Sequence, residues 1–346
     1  MPLPRLTAAI HAAAMACLLA GCAGTSTSAP AGSDRPWRRG PAAGGPAAAP
    51  TDLPAAMGSA QGDGVFPRTV THFLGTTEIP AAPKRIVVLS SGQLDGLLSL
   101  GSVPVAATTA ARSELVPAYL AKAFPEHSRA LAGMVNLGTR IEPNLEAVIA
   151  ARPDLILMNN MVAELYPKLS RIAPTVAAQG TGIYWKRDLL MIGAALGRHQ
   201  QASGVIGAFQ RDAAALAGRI GDDATVSIVR FAPGRSRMFG TSSFPGSIAA
   251  DIGLGRPPSQ RFSRMSRDLS DEQVNKVNAT WIFYSAMGRR DVKTGAQTVQ
   301  TGELWRRLPA VHAGNAVQID EDPWYYNSGP AAARVVLHDI AVATRA

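Results

Sequence analysis

The stretch from Trp185 to Ile220 constrains this chain more than any other. Apolar residues fall at Leu189, Ile192 and Leu196, then at Val205, Phe209, Ala213, Leu216 and Ile220. Steps of three and four residues place them on one buried helical stripe, with Gly197-Arg198 as the only break in the pattern. About twenty residues at 1.5 Å each reach roughly 30 Å, the diameter of a small domain. A single helix of that length between two alternating strand and helix patterns reads as a spacer joining two lobes.

On its N-terminal side, Ile86-Val87-Val88-Leu89 runs into the polar pair Ser90-Ser91, as a buried strand opening into a loop does. A helix over residues 93–100, a strand over 103–106, a helix over 144–151 and strands over 152–158 and 175–177 follow. Residues 68–79 alternate as one short strand. On the C-terminal side the scheme repeats without repeating the sequence: strands over 224–231, 237–239, 279–284 and 316–319, and helices over 247–252, 271–277 and 331–343. Alternation of this kind predicts an α/β fold, two lobes with mostly parallel sheets joined by one long helix. Ligands of such sheets bind outside the carboxyl ends of the strands, so the strand-end residues are the candidates.

The N-terminus reads differently. One charge, Arg5, precedes an apolar run over residues 8–20 that is too short to span a bilayer, and small residues precede Cys22. This is an export signal, and it resembles a bacterial lipobox, which implies lipidation of Cys22 and anchorage on the extracytoplasmic face of the cell membrane. The other cysteine, Cys17, leaves with the signal, so no disulfide or thiolate chemistry is expected. Beyond Cys22 the chain is rich in Ala, Gly and Pro and reads as a disordered tether. The expected organisation is a signal peptide (1–21), a tether (22–64), an N-terminal lobe (65–183), a connecting helix (184–222) and a C-terminal lobe (223–346).

Charge and motifs narrow the function. The net charge of +9 suits an anionic surface or small ligand; export and the lack of any nucleic-acid motif argue against nucleic acid. There is no Gly-x-Ser-x-Gly elbow, phosphate-cradling glycine loop or His-Glu-x-x-His, so an enzyme is not expected. Ser242-Ser243 is the nearest to a suspicious serine and reads better as a cap of the helix near Ser247 or as lining of the cleft. The histidines of the mature chain, His72, His127, His199, His312 and His338, lack metal-site spacing. The basic loop at Arg289-Arg290 reads as solvated.

Several segments, taken in order, carry a resemblance: residues 84–90, Gly138-Thr139-Arg140-Ile141-Glu142-Pro143-Asn144-Leu145-Glu146, Arg152-Pro153-Asp154-Leu155-Ile156, the long connector, Leu269-Ser270-Asp271-Glu272-Gln273-Val274 and Trp324. Together they resemble the ferric-siderophore, heme and cobalamin substrate-binding proteins of ABC importers, and most closely the iron-siderophore lipoproteins. The resemblance implies a class III periplasmic-binding-protein fold with little hinge motion. It also implies capture of a ferric siderophore between the lobes and delivery to an ABC permease that docks Glu146 and Glu272. No cofactor of the protein's own is implied, since the chelator holds the iron, and a monomer is expected.

A bulky, often anionic chelate calls for guanidinium groups and aromatic faces. The candidates for ligand contact are Arg112, Arg140, Tyr184, Trp185, Arg230, Arg237, Phe239, Tyr284, Trp324 and Tyr325. This inventory points to a hydroxamate or mixed chelator. Two alternatives stay open: heme capture on the same fold, with a tyrosine as axial ligand, and an envelope scaffold that has lost transport.

Overall fold

The computed structural model describes residues 48–110, 112–180, 182–221, 223–232, 235–286 and 302–345. Cys22, the signal segment, residues 22–47 of the expected tether and Arg289-Arg290 lie outside the described residues.

The N-terminal lobe opens with an antiparallel hairpin, β1 (Arg68–His72) and β2 (Gly75–Ile79), where a single strand was expected. Its main sheet contains β3 (Ile86–Val88), β4 (Ala106–Thr109), β5 (Val135–Thr139), β6 (Glu142–Pro143), β7 (Leu155–Asn159) and β8 (Thr175–Ala178), ordered β6-β5-β4-β3-β7-β8. All pairs are parallel except β5 with β6. β3 and β7 are buried at every position, as their continuous apolar runs require of a sheet covered on both faces.

The C-terminal sheet contains β9 (Val226–Phe231), β10 (Ser236–Phe239), β11 (Ser266–Leu269), β12 (Trp281–Ala286) and β13 (Ala316–Gln318), ordered β11-β10-β9-β12-β13. β9, β12 and β13 are parallel, whereas β10 and β11 join antiparallel at one edge. Met238, Leu269, Val229 and Phe231 pack with Val274, Trp305 and Leu308 on one face of this sheet.

The connector corrects the expectation of one helix. It is two helices, Trp185–Leu196 and the longer His199–Ala217, separated where Gly197 takes a left-handed φ of 65°. At φ > 0 the glycine ends the first helix. Contact across the turn is close, since a Cβ on Gly193 would stand 2.7 Å from that of Ala202.

The tether assignment is also corrected, for residues 48–64. Asp63 accepts hydrogen bonds from the backbone N–H of His199 and Gln200 at 2.8 Å each, capping the second connector helix. Arg187 donates to the Asp52 carbonyl at 2.8 Å, and Gly58 bridges to Thr71 in β1. Small residues dominate this segment, yet its few polar groups reach far along the chain and fix it to the fold.

Candidate functional site

The strand ends of the two lobes face each other across a cavity of about 120 Å³, bordered by Arg140, Met161, Phe239, Met265, Tyr325 and Tyr326, among others. Arg140 enters from the N-terminal lobe in the turn between β5 and β6. Its backbone N–H is held by the Thr109 carbonyl at 2.8 Å. Its Nη1 donates to the Tyr326 carbonyl at 2.6 Å and to Ser91 Oγ at 3.2 Å. Burial lowers its pKa, with Tyr326 acting in the opposite direction.

The opposite wall follows from strand periodicity. On β9 and β10 the residues Phe231 and Met238 enter the core, so Arg230, Arg237 and Phe239 take the other face. Arg230 and Arg237 are direct partners in the antiparallel register. Phe239 stacks flat on Tyr325, with centroids 4.3 Å apart and planes 4° apart, and the Tyr325 hydroxyl donates to the Val229 carbonyl at 2.9 Å. Arg237 lies 3.8 Å from Asp268; desolvation, with Arg235 and Arg230 nearby, lowers its pKa. Arg112 is exposed but close enough to Tyr326 to act on it electrostatically.

The sequence does not single out Glu321. Its two oxygens meet Arg230 Nε at 2.8 Å and Nη2 at 2.9 Å, and Ser285 Oγ donates to Oε1 at 2.6 Å. Tyr326 joins the group through its hydroxyl, which meets Arg230 Nη2. Desolvation opposes the Arg230 charge, but Glu321 outweighs it and the pKa is raised. Burial, then Glu321, pushes the Tyr326 hydroxyl up to about 12. The acidic run Asp320-Glu321-Asp322, directly after the last strand and before Trp324-Tyr325-Tyr326, is the signal that marks this position.

Of the expected contact residues, Arg140, Phe239, Trp324 and Tyr325 border the cavity, whereas Trp185, Tyr284 and Tyr184 stand elsewhere. Trp185 is only 1% exposed and sits edge-on to Phe209 and Phe244, at 5.1 and 6.0 Å, as core. Trp324 borders the cavity, its ring packed against Phe283 and its Nε1 donating to Asp339 at 2.8 Å. Tyr284 falls on the core face of β12 against Trp305, because the neighbouring Ser285 takes the cleft face. Tyr184 is half-buried beneath Arg187 and does not border the cavity.

Glu146 and Glu272 are both exposed in the first turn of a helix, the first in Leu145–Ala150 and the second in the tight 3-10 helix Asp271–Val277. Asn144 caps the former through Ala147 N–H at 3.0 Å. The Glu272 carboxyl is held below its ordinary range by its own backbone N–H and the Ser270 hydroxyl. Ser243 caps the helix Phe244–Asp251 through Gly246 N–H at 3.0 Å, the role read from sequence. Among the described residues no three His, Cys, Asp or Glu side chains converge as a metal ion requires.

Larger hollows exist, of about 600 Å³ beside Ser270 and Glu272 and about 820 Å³ along Phe124, Val205 and Val335. Neither joins Arg140 of the N-terminal lobe to the Phe239–Tyr325 stack of the C-terminal lobe, as the lining of the inter-lobe cavity does.

A model of the periplasmic binding protein family matches residues 86–323. The probable siderophore-binding lipoprotein YfiY of Bacillus subtilis is 35% identical over 287 residues, covering 79% of this chain and 86% of that protein. Among solved structures, Staphylococcus aureus SirA complexed with staphyloferrin B superposes with a TM-score of 0.69 at 26% identity, covering 80% of this chain and 98% of that one. The petrobactin-binding protein YclQ of Bacillus subtilis superposes with a TM-score of 0.67 at 22% identity over 80% of this chain and 98% of that one, a likeness of fold.

Proposed function

The chain belongs to the periplasmic binding protein family, and from that premise we propose that it is the extracytoplasmic, solute-binding lipoprotein of an ABC importer that captures a ferric siderophore between its lobes. The observation that carries this reading is the convergence of Arg140 from one lobe and Arg230 from the other on the single segment Tyr325-Tyr326, beside the Phe239 face. Guanidinium forks and flat aromatic faces suit the oxygen-rich shell of a ferric chelate. The iron is cargo and is held by the chelator. YfiY is named for siderophore binding and SirA was solved with staphyloferrin B, which supports the same ligand class here.

Three finer assignments belong to this reading. Cys22 carries the lipid that anchors the chain to the membrane. Glu146 and Glu272, one exposed acid per lobe, dock the permease. Arg112, Arg140, Arg230, Arg237, Phe239 and Tyr325 contact ligand, whereas Trp185 and Tyr284 support the wall from behind. Heme capture has less support: Tyr284 faces the core and the Tyr325 hydroxyl is bound to a backbone carbonyl, so neither offers a free axial oxygen.

Tryptophan fluorescence titrations against ferric chelates and hemin in parallel test the reading. Saturable submicromolar quenching by a ferric chelate is the expected result. Hemin binding with a shifted Soret band and no chelate binding overturns it. Replacing Glu146 and Glu272 together is expected to abolish cellular uptake with chelate affinity intact; normal uptake removes their docking role.

A further inference from the structure

The cleft already holds part of the chain itself. After β13 the backbone passes Glu321 into a π-helical turn, Asp322–Tyr326, a form that recurs at functional positions. Glu321 engages Arg230 through both carboxylate oxygens, and the Tyr326 carbonyl accepts from Arg140. One short segment therefore satisfies a guanidinium from each lobe. The pair is neither fully buried nor free: the Arg230 side chain is 17% exposed and that of Glu321 15%. A bidentate fork on a carboxylate is a geometry that a second carboxylate reproduces.

The surrounding charge is not balanced by Glu321 alone. Arg256 is buried beneath Phe239, donating to its carbonyl and to Gln260 Oε1 at 2.5 Å each. Its Nε and Nη1 have no acceptor, and no carboxylate pairs with it among the described residues. Among the described residues, the carboxylate that Arg237 meets is the exposed Asp268, at 3.8 Å. Uncompensated buried positive charge is costly, and an anion placed in the adjoining cavity offsets it.

We propose that Glu321 is a built-in competitor for the cleft: the cationic surroundings favour ferric chelates with net negative charge over neutral ones, and Glu321, by occupying the Arg230 fork that a ligand oxyanion would take, holds that preference down. This rests on the reading that the cleft takes a ferric chelate. An anionic chelate brings an oxygen that takes over the fork and releases Glu321 to water. A neutral chelate offers no charge to exchange, so Glu321 stays and the chelate loses the strongest contact on that wall.

The experiment titrates the wild-type protein, Glu321→Gln and Ser285→Ala with three probes at one ionic strength: ferric citrate, a ferric tris-catecholate and a neutral ferric trihydroxamate. Wild type is expected to favour an anionic probe. Glu321→Gln is expected to strengthen that binding about ten-fold and to change the neutral probe by less than about three-fold. Ser285→Ala, which removes only the hydroxyl on Glu321 Oε1, is expected to shift the same ratio in the same direction by less. Which anionic probe gains names the oxyanion type. An unchanged ratio in both variants, or an equal loss for all three probes with a lowered melting temperature, overturns the competitor role while leaving the chelate reading intact. Wild type binding none of the three overturns both.

Discussion

Two of the contacts between the C-terminal part of the chain and the N-terminal lobe are built differently. At the seam, Asp95 is fully buried and accepts from the backbone N–H of Ala331 and Ala332 at 2.9 Å each and from the Tyr119 hydroxyl at 3.1 Å. There is no spare volume, since a Cβ on Gly329 would stand 2.4 Å from Asp95 Cγ and one on Gly92 2.9 Å from the Ser328 carbonyl. At the cleft, Arg140 makes two hydrogen bonds beside an open cavity, and the acceptors are one carbonyl and one hydroxyl. The seam is sealed from within, which restricts lobe motion; the cleft contacts are ones a ligand's oxygens can replace.

Four predictions break or sharpen that contrast. Gly329→Ala is expected to cost roughly 3 kcal/mol of stability by overpacking, read as a lower melting temperature, with chelate affinity of the folded fraction unchanged. A parallel loss of affinity would mean that seam and cleft are not separate.

The seam also titrates. Burial raises the Asp95 carboxyl to about 6, against the opposing effect of its hydrogen bonds, whereas its ordinary value is 3.8. Between those values the folded chain holds the proton more tightly, so stability from this group falls as pH rises from about 4 to about 6 and stays low above. The stability difference between wild type and Asp95→Asn is expected to change by up to about 1.4 kcal/mol per pH unit across that window and to be flat above about pH 7. A flat difference throughout would refute the buried, proton-binding seam.

On the cleft side, Arg140→Ala is expected to weaken chelate binding by about 1–3 kcal/mol while moving the melting temperature little. Arg237→Ala is expected to cost less than about 1 kcal/mol of affinity, because that side chain is more exposed and already faces Asp268. Reversal of that order would shift the centre of the site toward the β10 edge.

Much of this was legible in the sequence. Period gave the connector, and Gly197, its one visible flaw, is where the chain turns. Continuous apolar runs gave β3 and β7. The register of strand ends was harder: a one-residue difference sends Ser285 to the cleft and Tyr284 to the core. Trp185 and Trp324 look like ligand-contact aromatics from position alone, yet tertiary packing buries them. Asp52, Asp63 and Glu321 were missed for a shared reason: each reads as solvated polarity until partners tens of residues away, Arg187, His199 and Arg230, are brought to it.

The most direct test of the account is the anomalous signal of iron in crystals of the protein grown with a ferric chelate. The account predicts one peak between Arg140 and the Phe239–Tyr325 stack, with the Asp95 hydrogen bonds to Ala331 and Ala332 unchanged. A peak along Phe124 and Val205, beside Glu272, or nowhere on the protein would contradict it.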